Sequence, residues 1–396
     1  MKHHFFQSVD KSIEADVAIV GAGLVGLSAA IAFAKQGKSV VLVDAKPVMN
    51  QKTKTWDERI YALSPESETW LKGLDVWPYI DAERVCAIDA MHVWHDSEEL
   101  VLSSSDANLP KLGVIIENQN LMVALWQKIN ALDVAVVTEV NCVKLENTQQ
   151  AVILSLDNQQ QISAKLLLAA DGIHSWVRQQ ANIDVQHKDF EQTAIVANFS
   201  TEKYHGNVAR QWFAAHETLA LLPLVGQNVS LVWSLSTEKA SELLKLSNED
   251  LADAVGAKSQ DVLGDLKPIG RTLSFALHSQ IATQFVAERL ALVGDAAHQI
   301  HPMAGQGVNL GFRDVMELTS LATKLHHMQD LGDAAFLRQY ARARKVDTLA
   351  MNTLTSGLDA LFASDSRMLK QLTNWGLRQL NHQGSVKKLL IQQVAA

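Results

Sequence analysis

Val17-Ala18-Ile19-Val20-Gly21-Ala22-Gly23-Leu24-Val25-Gly26 is the stretch on which the reading of this chain turns. Four apolar residues in a row suit a parallel strand buried on both faces. The glycines stand at the spacing of a dinucleotide-binding turn. Gly21 permits the tight turn, Gly23 lets a pyrophosphate approach the backbone, and Gly26 lets helix and strand pack closely. Leu24, Leu27, Ile31 and Ala34 then recur at helical spacing, and Gly37 is suited to end that helix. Ser39 to Val43 reads as the next strand, with Asp44 at its end, 18 residues after Gly26. A carboxylate there can accept the hydroxyls of a ribose. Strand, helix and acid together turn a weak motif into a βαβ unit that binds a dinucleotide.

Two further stretches repeat the pattern of a short apolar strand ending in a carboxylate. Leu166-Leu167-Leu168-Ala169-Ala170-Asp171-Gly172 is followed by Ser175 and Arg178. Leu290-Ala291-Leu292-Val293-Gly294-Asp295-Ala296-Ala297-His298 runs on through His301, Pro302, Gly305, Gln306, Gly307, Val308 and Asn309 into a helix. Val93–Leu102, before the first of them, and Ala194–Phe199, Arg210–Ala214, Leu219–Leu224 and Val229–Leu235, between the two, read as strands. Gly226-Gln227-Asn228 serves as a hairpin turn, and antiparallel sheet is the natural arrangement. From Val308 onward Phe312, Val315, Leu318, Ala322 and Leu325 share a helical face, and the rest of the chain reads as mostly helical.

The expected fold is therefore α/β: a Rossmann-like FAD-binding domain, an inserted antiparallel β-sheet substrate domain and a helical C-terminus. The expected boundaries are 14–90, 112–188 and 286–330 for the first, 91–111 and 189–285 for the second, and 331–396 for the third. A chain of 396 residues accommodates two interlocked domains. Net charge −8 gives no basic excess for nucleic acid. Cys86 and Cys142 leave room for one disulfide but no disulfide framework and no CxxC metal site. No apolar run reaches the roughly 18 residues of a membrane span. The first residues carry too short an apolar patch for a signal peptide. The expected location is cytoplasmic, with a peripheral contact to the inner membrane as a further option.

The three strand-end motifs, in this order, resemble those of the aromatic-ring flavoprotein monooxygenases related to para-hydroxybenzoate hydroxylase. Asp57-Glu58-Arg59-Ile60, Glu117-Asn118, Leu222-Pro223-Leu224 and Gly305-Gln306-Gly307-Val308-Asn309-Leu310-Gly311-Phe312-Arg313-Asp314 narrow the likeness to the ubiquinone-biosynthesis hydroxylases. Within that group the chain most resembles the bacterial members acting on a methoxy-methyl-benzoquinol ring. The resemblance implies an FAD enzyme that hydroxylates a prenylated phenol or quinol with molecular oxygen through a C4a-hydroperoxyflavin. It implies FAD contacts from Gly21, Gly23, Gly26, Asp44, Arg59, Asp171, Asp295, Gly305, Gly307, Val308 and Asn309. It places His301 and Pro302 beside the flavin ring as the candidate catalytic-site residues, with a structural role as the alternative.

Asp171 and Arg178 would help FAD and the reductant dock, although Asp171 is equally suited to capping a helix. The chain has one GxGxxG, so NADPH or another NAD(P)H donor would dock transiently, or electrons would come from another protein. His298 and His301 lack a third ligand at metal-site spacing, and no metal is expected. Trp212, Phe213 and Trp233 are candidates for the wall of a ring pocket or for ordinary core. Competing readings are an epoxidase, a halogenase or a prenyl-chain reductase on the same scaffold, and a non-catalytic flavin-bound subunit of a membrane-associated complex. Beyond Asp365, Arg367, Lys370, Arg378, Lys387 and Lys388 face no acidic residue in sequence, and Leu369, Leu372, Trp375 and Leu380 suit one face of a helix. That composition fits the surface of an anionic bilayer, and equally a helix packed on the nucleotide domain with its lysines in water.

Overall fold

A computed structural model describes residues 12–49, 55–96, 98–300, 307–326, 329–362, 387, 388 and 391. The chain opens with β1 (Ser12–Val20), α1 (Leu24–Lys35) and β2 (Val40–Asp44), the βαβ start. β3 (Ile60–Leu63), α2 (Pro65–Gly73), β4 (Val85–Ile88), β5 (Ala90–His95), β6 (Glu98–Ser103) and β7 (Gly113–Glu117) follow. Then come α3 (Asn118–Asn130), β8 (Val134–Thr138), β9 (Cys142–Asn147), β10 (Val152–Leu156), β11 (Gln161–Ala169) and α4 (Trp176–Gln180). Four antiparallel strands, β12 (Val185–Thr201), β13 (Val208–Ala214), β14 (Glu217–Leu224) and β15 (Asn228–Ser236), lead to α5 (Thr237–Leu243) and α6 (Asn248–Lys258). β16 (Leu266–Ala282), β17 (Val286–Ala287), β18 (Leu290–Leu292), β19 (His298–Gln299), α7 (Gly307–Ala322) and α8 (Ala334–Phe362) complete the described elements.

Three sheets result. The first runs β17-β18-β11-β1-β2-β8, with β10 and β9 added beside β11. Its central strands are parallel, and Val17, Ala18, Ile19, Leu166, Leu167 and Leu168 have no exposed surface. The register brings the three motifs to one edge. Val20 pairs with Val43 and with Ala169, and Ala169 pairs with Leu292. Asp44, Gly21, Asp171 and Asp295 therefore follow the C-terminal ends of four adjacent strands, where open α/β sheets bind their ligands.

The second sheet, β19-β16-β12-β15-β14-β13-β5-β6, is antiparallel except where β13 meets β5. Alternation divides its residues between two faces. Ile195, Trp212, Leu219, Leu221, Leu231, Trp233 and Leu235 pack against Ala240 of α5 and Leu251, Ala252 and Val255 of α6. The other face turns toward the motif edge of the first sheet. The third sheet, β3-β7-β4, bridges the two.

Several expectations are refined. The single strand over 93–102 is a hairpin, β5 and β6, whose turn includes Asp96 at φ 50°. The stretch 194–199 is part of a 17-residue strand, β12, paired along its length with the equally long β16. β12 crosses the expected boundary at 188, and β19 joins the antiparallel sheet from within 286–330. The helices α5 and α6 were not anticipated. The hairpin turn at Gly226 is present, with φ 79°. Both cysteines are free thiols.

Candidate active site

The space between the strand ends and the antiparallel sheet is a cavity of about 1450 Å³. Its lining includes Gly21, Gly23, Asp44, Arg59, Asp171, Asp295, Gly307 and Val308. Gly26 and Asn309 are close by but do not line it. A Cβ on Gly26 would collide with Gly21 O, so this position serves packing of α1 on β1. The Asn309 side chain accepts from Ser64 N (3.1 Å) and donates to Ala62 O (2.8 Å), which ties the start of α7 to β3. His301, Pro302 and Gly305 lie outside the described residues.

At the glycine loop, Gly21 adopts φ 105°, and a Cβ there would strike Ala170 O. Gly23 has ordinary φ −76° as N-cap of α1, and a Cβ there would meet nothing within 4 Å. Its missing side chain keeps the cavity open rather than relieving strain. The first N–H groups of α1 have no intrahelical partner, as at any helix start. Asp44 Oδ2 accepts from Ala22 N (2.5 Å) and Oδ1 from Lys46 N (2.7 Å), which aims the carboxylate along the loop with lone pairs to spare.

Asp171 caps a helix and also faces the cavity. Its Oδ2 accepts from Val177 N (3.1 Å) in the first turn of α4. Its Oδ1 is buried and lacks a partner among the described residues, on the cavity wall. Burial raises its carboxyl above the usual range. Arg178 is buried, donates to Ala296 O (2.9 Å) and Ile173 O (2.8 Å), and thereby staples the second motif to the third.

Asp295 lines the cavity, and burial raises its carboxyl against the opposing pull of His298 and Arg59. Its loop is held from below. Asp314 of α7, with no exposed surface, accepts from Gly294 N (2.8 Å) and faces His298 Nε2 (2.7 Å) through Oδ2. Its Oδ1 accepts from Arg344 Nε (2.6 Å) of α8. Burial opposes the charge on Asp314, yet His298, Arg344 and the Gly294 N–H outweigh it and hold the carboxyl below its ordinary value. His298 is thus a packed partner of a carboxylate. Tyr340 of α8 donates to Leu292 O (2.7 Å) immediately before the loop.

Arg59 is held in a similar way. Asp57 Oδ1 accepts from Arg59 N (2.9 Å), and Asn118 N donates to Arg59 O (2.9 Å). Glu117, buried, accepts from Asp57 N (2.6 Å) and pairs with Arg84 through both oxygens (2.6 Å each). The Arg59 guanidinium lies 5.6 Å from the centroid of Tyr61 on the cavity wall. Sequence reasoning singled out the cavity-facing acids but missed Asp314, Arg344 and Arg84, whose partners are remote in the chain.

Of the two readings for Trp212, Phe213 and Trp233, the structure bears out ordinary core. Trp212 and Trp233 point to the opposite face of the sheet. There Trp212 stacks on Trp94 at 4.6 Å, and Trp233 Nε1 donates to Glu217 Oε1 (2.8 Å). Phe213 packs against the cluster that contains Ala209 and Leu102, and it does not line the cavity either. The sheet instead presents small residues, among them Ala194, Ala209, Ala220, Thr218 and Ser234. Small side chains on this face leave room for a flat ligand.

The fit to FAD rests on these features: an open glycine cradle, an unpartnered buried Asp171 oxygen, and a second strand-end carboxylate turned to the cavity. A parallel sheet with this edge, roofed by an antiparallel sheet, defines a dinucleotide-binding flavoprotein of the ring-hydroxylase kind. Residues 14–352 match the FAD binding domain family, and the chain belongs to it. It is 33% identical to the 3-demethoxyubiquinol 3-hydroxylase of Escherichia coli strain K12, over 94% of this chain and 96% of that protein. It is 31% identical to the human "Ubiquinone biosynthesis monooxygenase COQ6, mitochondrial", over 95% of this chain and 91% of that one. In fold it is similar to p-nitrophenol 4-monooxygenase PnpA from Pseudomonas putida DLL-E4, with TM-score 0.77 at 16% identity, covering 97% of this chain and 98% of the other. The chain is an FAD-dependent aromatic-ring monooxygenase.

Proposed function

We propose that this enzyme hydroxylates the ring of a prenylated phenol or quinol in ubiquinone biosynthesis. The observation that carries the reading is the single cavity that runs from Gly21 and Asp44 to Ala220 and Leu222 under the antiparallel sheet. Its roughly 1450 Å³ exceeds the roughly 300–1,000 Å³ usual for one small ligand, which suits a dinucleotide and a second molecule together. The relatives act, by their names, on ubiquinone precursors.

In this reading Gly21 and Gly23, backed by Gly26, cradle the pyrophosphate at the start of α1, and Asp44 accepts from the ribose. Asp171 and Asp295 accept from the remaining hydroxyls of FAD. Arg59, Gly307 and Val308 line the wall at the start of α7, where Arg59 and the helix end favour negative charge, and Asn309 holds that start against β3. Gly305, His301 and Pro302, outside the described residues, are the remaining candidates beside the flavin ring. Bound and reduced, FAD supplies the electrons and the oxygen-activating ring. The protein's share is to hold the substrate ring under the small-residue face and keep water from it. NAD(P)H docks transiently as the donor. The first and second sheets support the division into 14–90, 112–188 and 286–330 against 91–111 and 189–285, with β12 and β19 running across it, and 331–396 is proposed as the third part. The basic segment beyond Asp365 supports peripheral membrane contact, through which a prenylated substrate would arrive.

The test is to incubate the FAD-loaded enzyme, NADPH and oxygen with a panel of prenylated phenols and quinols, and to weigh the products. One added oxygen on a ring is the expected result. Hydrogen peroxide alone across the whole panel would reject the assigned substrate class.

A further inference from the structure

The cavity face of the antiparallel sheet can be read in rows, because cross-strand partners share a face. One row is Thr218, Ser234, Ala194 and Phe275. The next contains Gln211, Ala220, Val232 and Val196. Beyond it Ala209 and Leu222 line the cavity with Met91 of β5. Thr218 and Ser234 are direct partners, and both line the cavity. Ser234 is 7% exposed. Among the described residues no protein group is bonded to either hydroxyl, whereas Gln211 already has a partner. Both hydroxyls open onto the cavity and are available to a ligand in place of water.

We infer that Thr218 and Ser234 form the subsite for the oxygen substituents of the substrate ring, and so set which ring is accepted and how it is turned. Each hydroxyl can donate once and accept twice. Paired Cβ atoms lie about 4.5–5.5 Å apart, so the two can grip one phenolic oxygen or two neighbouring ones. The apolar end at Leu222 is four residues further along β14, roughly 13 Å away, which separates the oxygen-bearing end of a ligand from an alkyl end. The inference rests on the aromatic substrate class proposed above.

Thr218→Val and Ser234→Ala remove the hydroxyls with little change of shape. Binding is read without turnover, from the perturbation of oxidised-flavin absorbance. The two ligands are a short-chain prenyl methoxy-methyl-hydroquinone and the same ring with methyl groups in place of its hydroxyls. Flavin content and thermal midpoint serve as controls on folding. Each variant should bind the hydroquinone about three- to tenfold more weakly and the methyl analogue as wild type does. Peroxide released per NADPH consumed should rise with the hydroquinone. Equal losses on both ligands would reduce the pair to packing residues, and no loss on either would remove the subsite. If wild type binds neither ligand, the proposed substrate class fails and the inference with it.

Discussion

A side chain at Gly23 would project into open cavity, whereas one at Gly26 would collide with Gly21 O. The two glycines therefore fail differently. Gly23→Val should fold and lose bound FAD, and Gly26→Val should lose soluble folded protein. Flavin content and circular dichroism of the two variants decide it, and full flavin in Gly23→Val would displace the loop from the cofactor site. Asp295 poses a related trade. Its carboxyl is raised by burial, so the ionised form costs the flavin-free fold stability at neutral pH. That cost vanishes as pH falls through the raised value toward the ordinary 3.8. Asp295→Asn should raise the thermal midpoint of flavin-free protein at pH 7 and flatten its pH dependence. It should also weaken FAD binding about ten- to a hundredfold, the loss of a charge-assisted hydrogen bond. A variant with unchanged midpoint and unchanged flavin affinity would contradict both halves.

At the scale of elements, the loop bearing Asp295 is suspended from α7 and α8 through one buried carboxylate, Asp314. The Asp314 carboxyl is lowered, so its contribution is present above the ordinary carboxylate range and fades as pH falls through the lowered value. Asp314→Ala leaves His298 without its carboxylate and Arg344 with Asp347 as its remaining carboxylate, and should cost about 3–5 kcal/mol in urea unfolding, the range for breaking a buried ion pair. The antiparallel sheet offers the converse test. Leu251 of α6 packs on the face away from the cavity. Leu251→Ala should cost about 2–5 kcal/mol while FAD affinity stays as in wild type. A parallel loss of flavin affinity would mean that the two faces of the sheet are coupled.

For the whole molecule, the open question is how an enzyme of net charge −8 meets a lipid-borne ring. No helix among the described residues is long and apolar enough to cross a membrane. Of the five basic residues beyond Asp365, Lys387 pairs with Asp106 (2.9 Å), and Ile391 is buried in the cluster of Cys86, Ile88 and Leu102. Lys387 and Ile391 thus dock on the protein. Arg367, Lys370, Arg378 and the apolar residues between them lie outside the described residues. Changing those three to glutamate should abolish flotation with anionic liposomes and leave flavin content intact. Undiminished flotation of that variant would remove the segment from the membrane contact.

The sequence alone determined the βαβ start, the three strand-end motifs, the class of cofactor and the antiparallel insert. Each is encoded locally, in apolar runs, glycine spacing and turn residues within one stretch of chain. The tertiary structure decided what depends on partners distant in sequence. Asp171 divides its two oxygens between a helix cap and the cavity. Trp212 and Trp233 face core rather than ligand, because alternation along a strand fixes two faces but not which of them is filled by α5 and α6. The burial of Asp314 between His298 and Arg344, and the meeting of Thr218 with Ser234, follow from strand register and helix packing. No local pattern carries that information, since each such contact joins residues whose own neighbourhoods give no sign of one another.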